Sequence, residues 1–278
     1  MPAPAQVFQI VAVDPRGVGL SGKPRGGYDT GTLARDMVAL MDALGHQRFA
    51  LVGHDVGMWT GYALAADHPG RLDRLVVAEA AIPGLSPAPP LFGGHEADER
   101  LWHFAFNRLT DINEQLVSGR EQLYFGSQFA TKSAKPLPGH AVQHYVDMLA
   151  GDPEALRCGF EFYRALDTTV AQNQERRTRR LSLPVLAIGG AENLGASVGE
   201  TMEAAADDVE SLSLPGSGHY PAEETPEAML SALTAFLAPY RDARPAAGVP
   251  VRGHEPQRSP VPPLRRGATA PESGPYAP

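Results

Sequence analysis

The chain has 278 residues, a formal net charge of −8 and 43% hydrophobic residues, enough for one sizeable core or a core plus a covering insertion. The acidic balance excludes a nucleic-acid or anionic-membrane binder, which needs clustered positive charge; the single cysteine, Cys158, excludes an intrachain disulfide framework and a Cys-rich zinc site. No apolar run approaches the ~18 residues of a membrane helix, and the opening MPAPAQVFQI lacks the charged and apolar regions of a secretory signal, so the expected location is the cytoplasm.

Strand and helix signals alternate along the body. Val7–Val13 is a short apolar run closed by Asp14-Pro15, which reads as a strand and a turn. Leu33, Met37, Leu40, Met41 and Leu44 set helical spacing over Thr32–Leu44. Phe49–Val52 reads as a buried strand, Val56–Asp67 as a helix stopped near Pro69-Gly70, and Leu75–Ala78 as the next strand. After a long interval come strands at Val185–Ile188 and Val209–Leu214 and a closing helix at Pro226–Leu237. Strands separated by helices imply a parallel sheet covered on both faces.

Residues 84–180 break this alternation with aromatic-rich helical patterns, expected to form a helical lid between two parts of the core, 1–83 and 181–240. From 241 to 278 the composition turns rich in Pro and Arg and poor in large apolar residues. Such a segment cannot offset its ordering entropy by burial, and a disordered tail is expected.

Two motifs carry chemistry. Leu51-Val52-Gly53-His54-Asp55-Val56-Gly57 runs from a buried strand through Gly-x-Asp-x-Gly into a helix. Such a turn lifts its central side chain above the sheet, over the N–H groups of the helix start. With Asp55 at the centre, the expected nucleophile is a carboxylate that forms an ester with an sp³ carbon. Gly216-Ser217-Gly218-His219-Tyr220-Pro221 places a histidine on a loop after the last strand, where a general base is expected.

Elbow, insertion and His loop in this order resemble the aspartate-nucleophile branch of the α/β-hydrolases: epoxide hydrolases, haloalkane dehalogenases and fluoroacetate dehalogenases. Val13-Asp14-Pro15-Arg16-Gly17-Val18-Gly19-Leu20-Ser21 is similar to the family's loop ahead of the first helix. The resemblance implies a mainly parallel sheet with helices on both faces, an inserted helical lid and a third catalytic member. At the position where many relatives carry that acid, this chain has Asn193. Other relatives carry it at the end of the strand after the elbow, and there stands Glu79; Glu192 is the alternative. Phe162-Tyr163-Arg164 looks like the family's Trp-Tyr-Arg, whose tyrosine donates to the epoxide oxygen, so Tyr163 is assigned that role with Tyr124 as the second tyrosine. Trp102-His103-Phe104 resembles the Trp-His-Trp of fluoroacetate dehalogenases, with Phe104 in place of an N–H donor. His54 and Val56 flank the nucleophile and, with Trp102, His103 and Phe104, are expected to line the pocket. Val56 replaces both the arginine of fluoroacetate dehalogenases and the tryptophan of haloalkane dehalogenases.

Relatives begin with several strands ahead of the one matching Val7–Val13, and the third of these ends in His-Gly-x-Pro, an oxyanion donor. The resemblance therefore implies a chain that lacks the first family strands and has low turnover. Val7–Val13 would either keep its place, leaving a slot of ~9.6 Å, or slide inward to pair with Phe49–Val52. The expected activity is hydrolysis of a small, apolar to moderately polar organic substrate, epoxide hydrolase-like, with no metal or organic cofactor. The alternatives are a dehalogenase and an inactive fold that acts by binding.

Overall fold

Two-residue periodicity splits each central strand between two cores. In the computed structural model, which describes residues 2–88 and 93–241, Leu75 and Val77 face one apolar cluster with Val185 and Ala187. Val76 and Ala78 face the other with Leu186 and Ile188. A strand apolar on both sides is what a sheet covered on both faces demands. The four strands are β1 (Phe49–His54), β2 (Leu72–Ala78), β3 (Val185–Gly190) and β4 (Val209–Leu214). They lie in the order β1-β2-β3-β4, all pairs parallel. β2 starts three residues ahead of the predicted Leu75, because Leu72 pairs with Phe49 across a local irregularity in the register.

Helix α1 (Pro2–Ala5) is followed by α2 (Thr30–Ala43), capped by Asp29, whose carboxylate accepts from the N–H of Thr32 at 3.0 Å. α3 (Val56–Asp67) buries Met58, Trp59, Tyr62 and Leu64 against the first cluster. Between β2 and β3 run α4 (His95–Asn107), α5 (Ile112–Val117), α6 (Glu121–Lys132), α7 (Gly139–Ala150), α8 (Pro153–Arg164) and α9 (Leu166–Arg176). Arg176 fastens the end of this insertion to the core: it pairs with Asp67 of α3 and donates to Thr30 of α2 at 2.8 Å. α10 (Ser197–Glu203) packs Val198 and Met202 on the same face as α3. α11 (Pro221–Glu224), α12 (Pro226–Phe236) and α13 (Ala238–Arg241) are the last elements among the described residues, α12 covering the opposite face with Met229 and Phe236.

One sequence expectation is corrected. Val7–Val13 forms no strand and pairs with none, so the inward slide onto Phe49–Val52 does not occur. An apolar run becomes a strand only where a ladder satisfies its N–H and C=O groups. Here Phe8 packs on the second core while Val7, Ile10, Val11 and Val13 stay 37–39% exposed. β1 is therefore an edge strand among the described residues, with Val52 exposed. The expected tail lies, beyond Arg241, outside the described residues.

Candidate active site

Parallel strands bring their carboxyl ends to one edge, and three chain turns meet there. The first follows β1. Asp55 sits at φ 53°, ψ −120°, a backbone region sparsely populated by residues with a Cβ. Gly53 makes the turn possible, because a Cβ there would strike the carbonyl oxygen of Gly57. Gly57 itself faces open space. The second turn follows β2, where Glu79 also takes a positive φ of 53° and is fully buried. The third carries His219 after β4. Gly218 lets this loop touch the end of α6, since a Cβ would strike the backbone of Lys132 and Ala134.

His219 Nε2 donates to Asp55 Oδ2 at 3.1 Å, and its Nδ1 donates to Glu79 Oε2 at 3.4 Å. Side-chain exposure falls along this line, from 38% at Asp55 to 11% at His219 and 0% at Glu79, so only the elbow carboxylate is open to a ligand. Burial lowers the pKa of His219, but its hydrogen bonds to Asp55 and then Glu79 outweigh this and raise it to about 9. Burial opposes charge on Asp55, but the bond to His219 and its charge hold the carboxyl well below the usual carboxylate range.

Of the two acids considered, the structure brings Glu79 to the histidine. Glu192 is exposed, and its backbone carbonyl accepts from Arg100. Asn193, at the usual acid position, donates from Nδ2 to Glu79 Oε2 at 2.6 Å, and the N–H of Gly190 donates to Glu79 Oε1 at 2.5 Å. The asparagine thus holds the carboxylate that replaces it.

The insertion supplies the opposite wall. Tyr163 packs edge-on to Phe104 and His103, with centroids 5.4 and 5.7 Å apart. Burial, then the nearby charge of Asp55, pushes its hydroxyl pKa well up, so it stays protonated. Tyr124 lies nearby: its hydroxyl donates to Asn107 Oδ1, the residue whose side chain also bonds the Tyr163 hydroxyl, and its ring joins Trp102, Phe106 and Phe160. Trp102 follows Tyr124 rather than Tyr163. Beside the nucleophile, His54 Nε2 donates to the carbonyl of His219 at 2.6 Å, and Val56 packs with Tyr163 against the Tyr28–Phe162 cluster.

Three functional groups escape sequence reasoning. The buried Glu224 accepts from the N–H of Gly218 at 3.0 Å, Tyr220 at 2.9 Å and Ala134 at 2.7 Å, fixing the His loop. The carbonyl of Lys132 accepts from the N–H of His219 at 2.9 Å. Lys132 Nζ donates to His103 Nε2 at 3.1 Å. Burial first, then the charge of Lys132, lowers the His103 pKa to about 3, so this imidazole is neutral. A hollow of about 390 Å³ near Arg48, His68 and Pro184 lies at the opposite, amino ends of the strands and shares no residue with this cluster. No group of three or more metal-ligating side chains occurs among the described residues.

Comparison with known proteins identifies the fold family. The family model described as alpha/beta hydrolase fold matches residues 1–226. A soluble epoxide hydrolase of Corynebacterium sp. (strain C12) is 29% identical over 245 residues, 87% of this chain and 85% of the relative. A fluoroacetate dehalogenase of Burkholderia sp. is 29% identical over 260 residues, 87% and 82% of the two chains. The crystal structure of Cfl2 from Burkholderia cenocepacia superposes with a TM-score of 0.76 at 33% identity, covering 80% of this chain and 76% of that one.

Proposed function

The chain belongs to the alpha/beta hydrolase fold family and is a hydrolase, and on that premise we propose that it opens epoxides through an alkyl ester on Asp55. The observation that carries this reading is the Asp55–His219–Glu79 line, at 3.1 and 3.4 Å, with protonated Tyr163 on the facing wall. The similarity to the Corynebacterium epoxide hydrolase supports it.

An Asp55 oxygen attacks a ring carbon, and the C–O bond breaks with its electron pair on oxygen. The Tyr163 hydroxyl donates a proton to that oxygen, and solvent reprotonates the tyrosine. Ester formation removes the charge that held His219 protonated, so its pKa falls, its Nε2 proton passes to solvent, and the imidazole is freed as a base. It takes a proton from water, whose oxygen adds to the Asp55 carbonyl carbon. The tetrahedral intermediate expels the alkoxide, which takes the proton back from His219, leaving a diol and the Asp55 carboxylic acid, whose proton then passes to His219 and restores the starting ion pair. Glu79 steadies the imidazolium and fixes its orientation. The N–H of Val56, at the start of α3, is a candidate oxyanion donor. Tyr124, whose hydroxyl meets the same Asn107 side chain as that of Tyr163, is the second tyrosine, and His103 packs against the Tyr163 ring. The insertion from 84 to 180 acts as a lid over this site, with the core parts at 1–83 and 181–240 beneath it, and the enzyme works in the cytoplasm.

His103 and Phe104 beside Tyr163 also favour a second reading, carbon–halide cleavage. Intact-mass analysis of His219→Gln after exposure to styrene oxide separates the two. An adduct on Asp55 equal to the whole epoxide mass supports the first reading. No epoxide adduct, but alkylation by a haloacid with release of halide, supports the second. No adduct from either class refutes both.

A further inference from the structure

Helix α6 turns a line of polar groups inward. Tyr124, Gln128 and Lys132 follow at single-turn spacing, which places them on one face. Tyr124 ends on Asn107. Gln128 is 8% exposed, and neither atom of its amide has a hydrogen-bond partner among the described residues. Lys132 spends one of its three N–H groups on the neutral His103 and forms no ion pair among the described residues. Nearby carboxylates have other partners: Glu224 three backbone N–H groups, Glu79 Gly190, Asn193 and His219, and Asp55, whose charge reaches Lys132 without an ion pair, His219. A cation without an ion-paired carboxylate, and a buried amide without a partner, both cost folding free energy unless a ligand repays it. The mechanism above uses neither.

We infer that Lys132, with Gln128 one turn behind it, receives a carboxylate on the substrate, so that the preferred substrates are small epoxides bearing a carboxylate next to the ring. The class of substrate rests on the reading of Asp55 as nucleophile. Chemistry favours the pairing. An anionic nucleophile approaching an anionic substrate needs a cation to offset the repulsion, and Val56 puts none at the elbow. Lys132 is fixed at the right place, because its own carbonyl holds the N–H of the base His219. An ammonium and an amide together offer the in-plane N–H donors that the two oxygens of a carboxylate accept.

Calorimetric titration of the full chain with cyclopropanecarboxylate and cyclopropanecarboxamide reads this site without turnover, since neither three-membered ring opens. The carboxylate should bind about tenfold more tightly or better. Lys132→Met and Lys132→Gln should both abolish that preference, and Lys132→Arg should keep part of it. The kcat/KM ratio for oxirane-2-carboxylate over oxirane-2-carboxamide should follow the same order. Equal binding of the two probes by the unaltered chain, no binding of either, or a preference that survives Lys132→Met overturns the inference. A Lys132-dependent preference with no alkylation of Asp55 by any epoxide upholds the anion site and refutes the nucleophile. Epoxide opening with no carboxylate preference does the reverse.

Discussion

Glu79→Gln changes one atom in a buried carboxylate whose three partners are all donors: the Gly190 N–H at 2.5 Å, Asn193 Nδ2 at 2.6 Å and His219 Nδ1 at 3.4 Å. Glutamine offers one oxygen. If its nitrogen faces Gly190, two donors collide and the backbone cannot turn away. If it takes the other side, Asn193 rotates to present its own oxygen, but the imidazole N–H loses its acceptor. The second arrangement is the cheaper. Loss of a bond to a charged group costs ~1.5–3 kcal/mol, which lowers the His219 pKa from about 9 by ~1–2. Removing the charge that steadies the imidazolium should cut turnover ~10²–10⁴-fold. Two assays check this: titration of the His219 ring by NMR, and single-turnover mass spectrometry. The alkylated Asp55 should accumulate, because the loss falls on ester hydrolysis. Turnover within threefold of the unaltered chain, with a large loss in Glu192→Gln instead, would refute the assignment of the acid.

Thermal stability should fall as pH rises from ~6.5 to about 9: His219 has its pKa raised on folding, so its contribution is complete below the unfolded value and lost through the folded one, up to ~3 kcal/mol. Melting curves of His219→Gln should be flat over that interval. Gly53→Ala should destabilise by ~1–3 kcal/mol because its Cβ meets the fixed carbonyl of Gly57, whereas Gly57→Ala should be neutral or gain up to ~1 kcal/mol in the first turn of α3; denaturant unfolding separates the two. Tyr163→Phe should lower the alkylation rate ~10²-fold or more in rapid-quench measurements. Tyr124→Phe should lower the same rate and also cost stability, ~1–3 kcal/mol, by removing a donor from Asn107.

Local patterns carried the sequence reading a long way and failed where distance in the chain mattered. α3 and β4 fall on the residues their apolar runs mark, Val56–Asp67 and Val209–Leu214. Asp55 and His219 were legible because glycines punctuate strand ends. Glu79 was legible through the family resemblance, at the strand end where other relatives carry the acid. Val7–Val13 misled, since hydrophobicity marks a candidate strand but only a neighbour makes it one. Asn193 was visible as a missing acid, yet its bond to Glu79 joins residues 114 positions apart. Lys132 and Glu224 look like ordinary surface charges in the sequence. Nothing in the neighbourhood of either announces that the fold will set them against the His loop.

Glu224 has a mechanical consequence. Its carboxylate joins the Gly218–Tyr220 backbone to Ala134, while the carbonyl of Lys132 clasps His219 directly. The corner of the insertion that follows α6 is thereby riveted to the loop that bears the base. Swinging that corner outward would drag the imidazole off Asp55 and uncouple the catalytic line. On the proposed reading of the insertion as a lid, this corner would be its pivot, and substrate and product would pass where the insertion is remote from it.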